Sequence, residues 1–130
     1  MITSEHYQSD ILFFFDGKPV ELSLYQTLFE RMEAAFPEVS VKVQKSQISF
    51  YHKHLFAAAS LPIRRRKDWP KECVIVTIGL PYRLVSPRVA VAVEPYPNRW
   101  THHVLVSQED QIDGELLGWL WKAYDFAMVK

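Results

Sequence analysis

The first 38 residues contain two stretches with the helical spacing of apolar side chains. A first helix, capped by Thr3 or Ser4, is predicted to run toward Phe15 and to stop at Gly17, since glycine tolerates the left-handed backbone that ends many helices. A second helix is predicted from residue 20 up to Pro37, because apolar residues recur there at intervals of three and four. They are Leu22, Tyr25, Leu28, Phe29, Met32 and Phe36.

Beyond the second helix the apolar residues alternate with polar ones, which is typical of strands with one buried and one solvent-facing side. Val41 and Val43 flank Lys42 in the first strand, and Ile48 and Phe50 follow the same rule in the second. Strands are predicted at 39–44, 47–51, 55–61, 73–80, 89–93 and 100–106. The fourth is apolar on both faces, as a central strand is.

The C-terminal segment has a third helical pattern. Ser107 and Asp110 resemble a capping box, and an apolar stripe follows, made of Ile112, Leu116, Trp119, Leu120, Ala123 and Phe126. Successive strands with short connections favour antiparallel pairing. The sequence therefore predicts one α+β domain over residues 1–130. We expect a two-layer sandwich with an antiparallel sheet of about five or six strands, two N-terminal helices and one C-terminal helix. The helices are expected on the sheet face that carries Val41, Val43, Ile48 and Phe50.

Composition adds a few constraints. Cys73 is the only cysteine, so an intramolecular disulfide is impossible, and as a thiol in an apolar strand it is expected to be buried and inert. The N-terminal residues lack the basic and apolar regions of a secretory signal, and the apolar runs are too short to span a bilayer. We therefore expect a cytoplasmic protein with no membrane partner.

Net charge is zero, but the charges are unevenly distributed. Residues 1–38 contain seven acids and two bases, residues 39–105 contain three acids and eleven bases, and residues 106–130 contain five acids and two bases. The basic middle segment is either a surface for an anionic partner or the complement of acidic helices within the fold.

Two basic stretches are candidates for anion binding. Lys45 and Ser46 occupy a short turn between strands, where a lysine, a hydroxyl and backbone N–H groups can hold a phosphate oxygen. Further along, basic residues surround Trp69, a combination suited to phosphate contacts and base stacking. They are Arg64, Arg65, Arg66, Lys67 and Lys71. The alternative for both stretches is a solvated surface.

A third candidate group consists of Arg83, Arg88, Arg99 and His103. On a strand His102 and His103 point to opposite faces, so we expect His102 in the core and His103 on the wetter face. If the arginines converge on His103, they would clamp a small anionic substrate with the imidazole as base.

No metal site and no cofactor are predicted. His52 and His54 share one side of a strand, but a third ligand is not identifiable. The glycines do not have the spacing of a nucleotide-binding loop. Trp121 falls on a different face of the last helix from Trp119, and an exposed tryptophan would mark a contact surface.

Several segments together resemble the bacterial domain of unknown function 5655 family. They are Lys45-Ser46-Gln47-Ile48-Ser49-Phe50, Phe56-Ala57, Arg99-Trp100-Thr101-His102-His103-Val104, Ile112-Asp113, Trp119 and Ala123-Tyr124. The resemblance covers residues 20–128. It implies a small α+β domain, found alone or attached to other modules, some of them predicted nucleases, and it implies no reaction.

Three functions remain open on these residues. The leading hypothesis is a non-catalytic domain that binds an anionic partner, nucleic acid among them, through a basic sheet face and loop. The second is a protein-interaction module that forms a homodimer through a sheet edge or the last helix. The third is an enzyme acting on a small anionic substrate.

Overall fold

The computed structural model describes residues 1–129. Its helices are α1 (Tyr7–Phe14), α2 (Pro19–Ala35) and α3 (Gly114–Met128), with a 3₁₀ turn at Glu109–Gln111. Its strands are β1 (Ser40–Val43), β2 (Ile48–His52), β3 (His54–Ser60), β4 (Val74–Leu80), β5 (Val89–Tyr96) and β6 (Arg99–Val106). They form one sheet in the order β1-β2-β3-β4-β6-β5, with every neighbouring pair antiparallel. The predicted α+β class and antiparallel sheet are confirmed.

Alternation along the strands gives the sheet one apolar face, as predicted. In the first hairpin Val41 pairs with Phe50 and Val43 with Ile48. Val43 is half-buried and the other three are buried, whereas Lys42 is exposed. The same face continues across the sheet through Ala57, Ala59, Val74, Val76, Ile78, Val104 and Val106, all of them in the hydrophobic core. We call the other side, which carries Ser49, Ala58, Thr77 and His103, the open face.

The three helices supply the second layer of the sandwich. Ile11 of α1, Leu28 and Met32 of α2, and Leu116 and Leu120 of α3 are all buried in the same cluster as the apolar sheet face. Each such side chain contributes about 1.5–3 kcal/mol when it is fully buried. The stripe predicted for the last helix is confirmed at Leu116, Trp119, Leu120 and Ala123, whereas Phe126 is only half-buried and Ala127 is buried instead.

The N-terminal residues depart from the predicted cap. Helix α1 begins at Tyr7, and His6 before it makes no side-chain cap, so a cap at Thr3 or Ser4 was wrong. The reason is that residue 2 belongs to the sheet: Ile2 N donates to Val39 O at 2.8 Å and Ile2 pairs with Ser40. Because this bridge needs an extended backbone at residue 2, the helix begins further along the chain, at Tyr7.

Two further boundaries differ from the sequence-based expectation. Strand β5 continues through Pro95 to Tyr96, which is possible because β5 is an edge strand and its register shifts between Val93 and Tyr96. The capping box is formed by Gln108 and Gln111 rather than by Ser107 and Asp110. Helix α3 then has its own cap at Asp113.

No helix within residues 1–129 is long and apolar enough to cross a membrane.

Truncating the core should cost far more stability than truncating the exposed side of the same hairpin. Phe50→Ala is expected to lower the free energy of unfolding by about 3–5 kcal/mol, because it leaves a cavity under the helices. Lys42→Ala should cost less than about 1 kcal/mol, mainly through its contact with the Tyr51 ring. Urea denaturation of both variants measures the difference; similar losses would contradict the assignment of the two faces.

Candidate functional site

Residues 61–73, which we call the basic loop, connect β3 to β4 without helix or strand. Its five basic side chains are exposed: Arg64, Arg65, Arg66, Lys67 and Lys71. None of the ion pairs formed among residues 1–129 involves them. The Arg66 guanidinium lies 5.6 Å from the centre of the Trp69 ring. The loop thus presents its positive charge to solvent, next to an aromatic ring that is itself half-buried.

The C-terminal part of the basic loop faces the start of β5 across a cleft of about 460 Å³. Arg66 and Trp69 line it from the loop, and Arg88 and Leu105 line it from the sheet. The exposed carboxylate of Asp68 is part of the same lining. The fold therefore brings together two of the predicted anion-binding arginines, Arg66 and Arg88.

Arg88 differs from the loop arginines because its charge is already paired. Its Nη1 lies 3.0 Å from Asp113 Oδ1 and 3.0 Å from Glu115 Oε1, and Nη2 donates to the Gln111 carbonyl. The guanidinium also lies 5.5 Å from the centre of the Trp119 ring. Half-buried and held by two carboxylates, Arg88 ties the β4–β5 connection to the start of α3.

The same contacts account for the acidity of Asp113. Its Oδ1 accepts a hydrogen bond from Leu116 N at 3.0 Å, which caps α3, and this bond lowers the pKa of the carboxyl group. The bond and charge of Arg88 lower that pKa further. Burial lowers the pKa of Arg88, but its bonds to Asp113 and Glu115 outweigh that effect and raise it.

The other members of the third candidate group do not meet Arg88. Arg83 is exposed and lies 5.9 Å from the centre of the Trp100 ring, and Arg99 is exposed at the start of β6 opposite Tyr96. His103 shares the strand parity of Arg99, but four residues along a strand separate them by about 13 Å. The structure thus distributes these residues over several surfaces rather than forming one clamp.

His103 lies on the open face, where its Nδ1 is 2.9 Å from Thr77 Oγ1 of the neighbouring strand. It is half-buried, and desolvation lowers the pKa of its imidazole. His102 is fully buried in the core, and its Nε2 accepts a hydrogen bond from Leu84 N at 2.8 Å. Burial lowers the pKa of this imidazole too. The two histidines take the opposite orientations that the alternation predicts.

Lys45 and Ser46 lie at the tip of the β1–β2 turn, which the Gln44 N–Gln47 O hydrogen bond of 2.9 Å closes. Both are exposed, and both line a cleft of about 620 Å³ that runs to the end of α1 and the start of the basic loop. Most of that lining is apolar, and Phe13 is its most exposed ring. We call this the α1 cleft.

The apolar part of the α1 cleft was missed by the sequence analysis, although a signal for it exists. Phe13, Phe14 and Phe15 are consecutive at the end of the predicted first helix, where successive side chains point about 100° apart. All three therefore cannot face one core. Phe15 is buried, Phe14 is half-buried and Phe13 is exposed. The partner of His103, Thr77, had no such signal because the strand register decides it.

The remaining sequence-based expectations concern the Cys73 thiol and the histidines of the β2–β3 hairpin. Cys73 is buried, and burial raises the pKa of its thiol. Among residues 1–129, no three or more His, Cys, Asp or Glu side chains gather where they could hold a metal ion. His52 instead stacks near Tyr124, with ring centres 5.1 Å apart.

The role of Asp113 can be divided into cap and charge. Asp113→Ala removes both and should lower the free energy of unfolding by about 1–2 kcal/mol at neutral pH. Asp113→Asn keeps an oxygen for Leu116 N and loses only the attraction to Arg88, so its cost should stay below about 1 kcal/mol. Urea denaturation of both variants gives these values.

The pH dependence supplies a second measurement on the same variants. Because the folded protein lowers the pKa of Asp113, this residue stabilises the fold at neutral pH, and that contribution is lost as pH falls through the lowered pKa. Stability should therefore decrease less between neutral pH and about pH 3 in Asp113→Asn than in the native chain. Equal decreases in stability for the two proteins would show that the Asp113 carboxylate does not contribute to the pH dependence of folding.

The sequence matches a known protein family. A family model described as domain of unknown function (DUF5655) matches residues 13–127. Comparisons with curated proteins and with solved structures found no significant match. The family match agrees with the resemblance drawn from the Lys45–Phe50 and Arg99–Val104 segments and spans most of the chain. The protein therefore belongs to the DUF5655 family of domains of unknown function.

Proposed function

We propose that this domain binds a polyanionic partner, nucleic acid foremost, through the basic loop. The observation that carries the proposal is the set of five exposed cations within eight residues, Arg64 to Lys71, that form no ion pair within the described chain. Unpaired surface cations repel one another, and they gain free energy when phosphates replace their counterions.

The contact between Arg66 and Trp69 supports nucleic acid over other polyanions. The guanidinium lies 5.6 Å from the ring centre, so a guanidinium plane and a half-buried aromatic ring lie together at one end of the loop. A base can stack on either plane while neighbouring cations contact the phosphates, and such stacking contributes about 1–3 kcal/mol per base. The adjoining cleft of about 460 Å³ gives that end of the loop a concave surface.

Arg88 has no direct role in this proposal, because Asp113 and Glu115 already neutralise it. Arg83, Arg99 and His103 lie on other surfaces and would at most extend the binding area. The proposal places the protein in the cytoplasm, where its single buried thiol, Cys73, stays reduced.

Salt dependence of binding tests this function. A fluorescein-labelled single-stranded 20-mer should bind at low salt, with an affinity that falls steeply as salt rises. Replacing Arg64, Arg65 and Arg66 by alanine should flatten the logarithmic slope by about two to three units, because each lost phosphate contact removes about 0.7–0.9. Fluorescence anisotropy at several salt concentrations measures both slopes.

Two control variants separate the loop from general positive charge. Replacing the three arginines by lysine keeps the charge and should keep most of the salt slope. Removing Lys42 and Lys122, which are exposed elsewhere, should change the slope by less than the loop variant does. If no binding occurs at low salt, or the alanine variant binds like the native chain, the loop is only a solvated surface.

A second function, self-association, is favoured by an exposed aromatic patch on α3. Trp121 is 43% exposed, and its ring centre lies 4.4 Å from that of Phe36 and 5.5 Å from that of Tyr124. Next to Tyr124, His52 Nδ1 lies 3.0 Å from the sulfur of Met128, which is 37% exposed. Tryptophan, tyrosine and methionine are enriched at interface cores.

Light scattering at increasing protein concentration tests the second function. If this patch forms a homodimer, the native chain should reach twice the monomer mass and Trp121→Ser should remain monomeric. Val85→Ser, which removes an apolar side chain that is 85% exposed, is the matched control and should dimerise normally. A native chain that stays monomeric throughout would leave the basic loop as the proposed functional surface.

A further inference from the structure

Two of the most exposed large apolar side chains line the same cleft. Phe13 at the end of α1 is 85% exposed, and Ile63 at the start of the basic loop is 91% exposed. Both contribute to the α1 cleft, whose volume is about 620 Å³. Clefts of about 300–1,000 Å³ with apolar walls and a few polar groups are typical of small-molecule sites.

The walls of the α1 cleft are mainly apolar. Besides Phe13 and Ile63, the apolar lining residues are Phe14, Val43, Leu61 and Pro62. Phe14, Val43 and Leu61 also pack against the hydrophobic core, so this floor is held by the fold. Phe13 and Ile63 have no such role, and their apolar area remains in water, so covering it with an apolar ligand is favourable.

One end of the cleft is polar and positively charged. Lys45 and Ser46 form the tip of the β1–β2 turn, and no described residue accepts a hydrogen bond from Lys45 N or Ser46 N. The Lys45 ammonium is in none of the ion pairs of residues 1–129. The exposed ammonium of Lys45 and hydroxyl of Ser46 can both donate hydrogen bonds to a carboxylate.

An acidic lining residue restricts how much negative charge the site accepts. Asp10 lies one helical turn before Phe13 and Phe14 and lines the cleft, so its exposed carboxylate opposes a second anionic group. The charges therefore complement a single anion placed at the turn, with an uncharged apolar body reaching toward Ile63.

We propose that the α1 cleft binds an amphipathic monocarboxylate, with its acyl chain over Phe13 and Ile63 and its carboxylate at Lys45 and Ser46. This site does not use Arg64, Arg65 or Arg66, although its lining residues Leu61, Pro62 and Ile63 belong to the basic loop. In this proposal the exposed Phe13 ring contacts the acyl chain, and the Lys45 ammonium at the β1–β2 turn contacts the carboxylate.

Isothermal titration of the full chain with decanoate, below its micelle concentration, tests the apolar part of the site. Saturable binding with one decanoate per chain is expected. Phe13→Ser and Ile63→Ser should each weaken it about tenfold or more, because each removes apolar area that the acyl chain would cover. Val85→Ser is the matched control, since Val85 is equally exposed on another part of the surface, and it should leave the affinity unchanged.

The position of the carboxylate is tested by the charged residues. Lys45→Ala should weaken decanoate binding about 1.5- to 5-fold, the range of an exposed ion pair, and should leave binding of uncharged decanol unchanged. Asp10→Asn should change decanoate affinity in the opposite direction and tighten it, because it removes a like charge from the cleft. Thermal unfolding followed by circular dichroism confirms that each variant folds.

Three results would overturn the proposal. One is the lack of saturable decanoate binding by the native chain. Another is a decrease in decanoate affinity for Phe13→Ser that is no larger than the decrease for Val85→Ser. The third is an equal effect of Lys45→Ala on decanoate and decanol, which would place the carboxylate elsewhere. Because these titrations contain no nucleic acid and leave Arg64, Arg65 and Arg66 unchanged, their failure would not count against the nucleic-acid proposal.

Discussion

Burial of one face of the sheet is the interaction on which the rest of the structure depends. Phe50 and Ile78 from the strands, Met32 from α2 and Leu120 from α3 are all within about 1% of complete burial, in a single core. Hydrophobic burial is the largest favourable term in folding, and here it uses all three helices on one side. Groups available to a partner therefore lie on the open face, in the connecting loops and on the outward faces of the helices.

This arrangement gives arginines of the same basic segment two different roles. Arg88 lies where β5 starts beside α3, and Asp113 and Glu115 of the acidic C-terminal segment neutralise it. It illustrates charge compensation within the fold. Arg64 and Arg66 extend from a loop that no acidic helix reaches closely enough for an ion pair among the described residues. The uneven charge of the sequence thus has both an internal and a surface component.

The periodicity of apolar residues predicted the parts of the fold that depend on nearest neighbours in sequence. Val41 and Phe50 were assigned to the buried face because a strand alternates with a period of two, whatever it pairs with. The Thr77–His103 contact instead requires β6 to lie beside β4, which chain order alone does not specify. The bonds of Arg88 to Asp113 likewise span 25 residues. The α1 cleft was predictable only in part. Three adjacent phenylalanines indicate that one ring must be exposed, but they do not indicate which residues lie around it.

The α1 cleft and the basic loop share a segment, and this has a thermodynamic consequence. Leu61, Pro62 and Ile63 line the cleft, and Arg64 follows directly in the chain. Fixing the backbone of one residue costs about 1–2 kcal/mol of conformational entropy. If one of the proposed ligands ordered Ile63, it would also restrict the adjacent Arg64, and a second ligand on the loop would then have less conformational entropy to lose. Because coupling between two binding sites is reciprocal, a phosphate partner that orders the loop would favour occupancy of the cleft by the same factor.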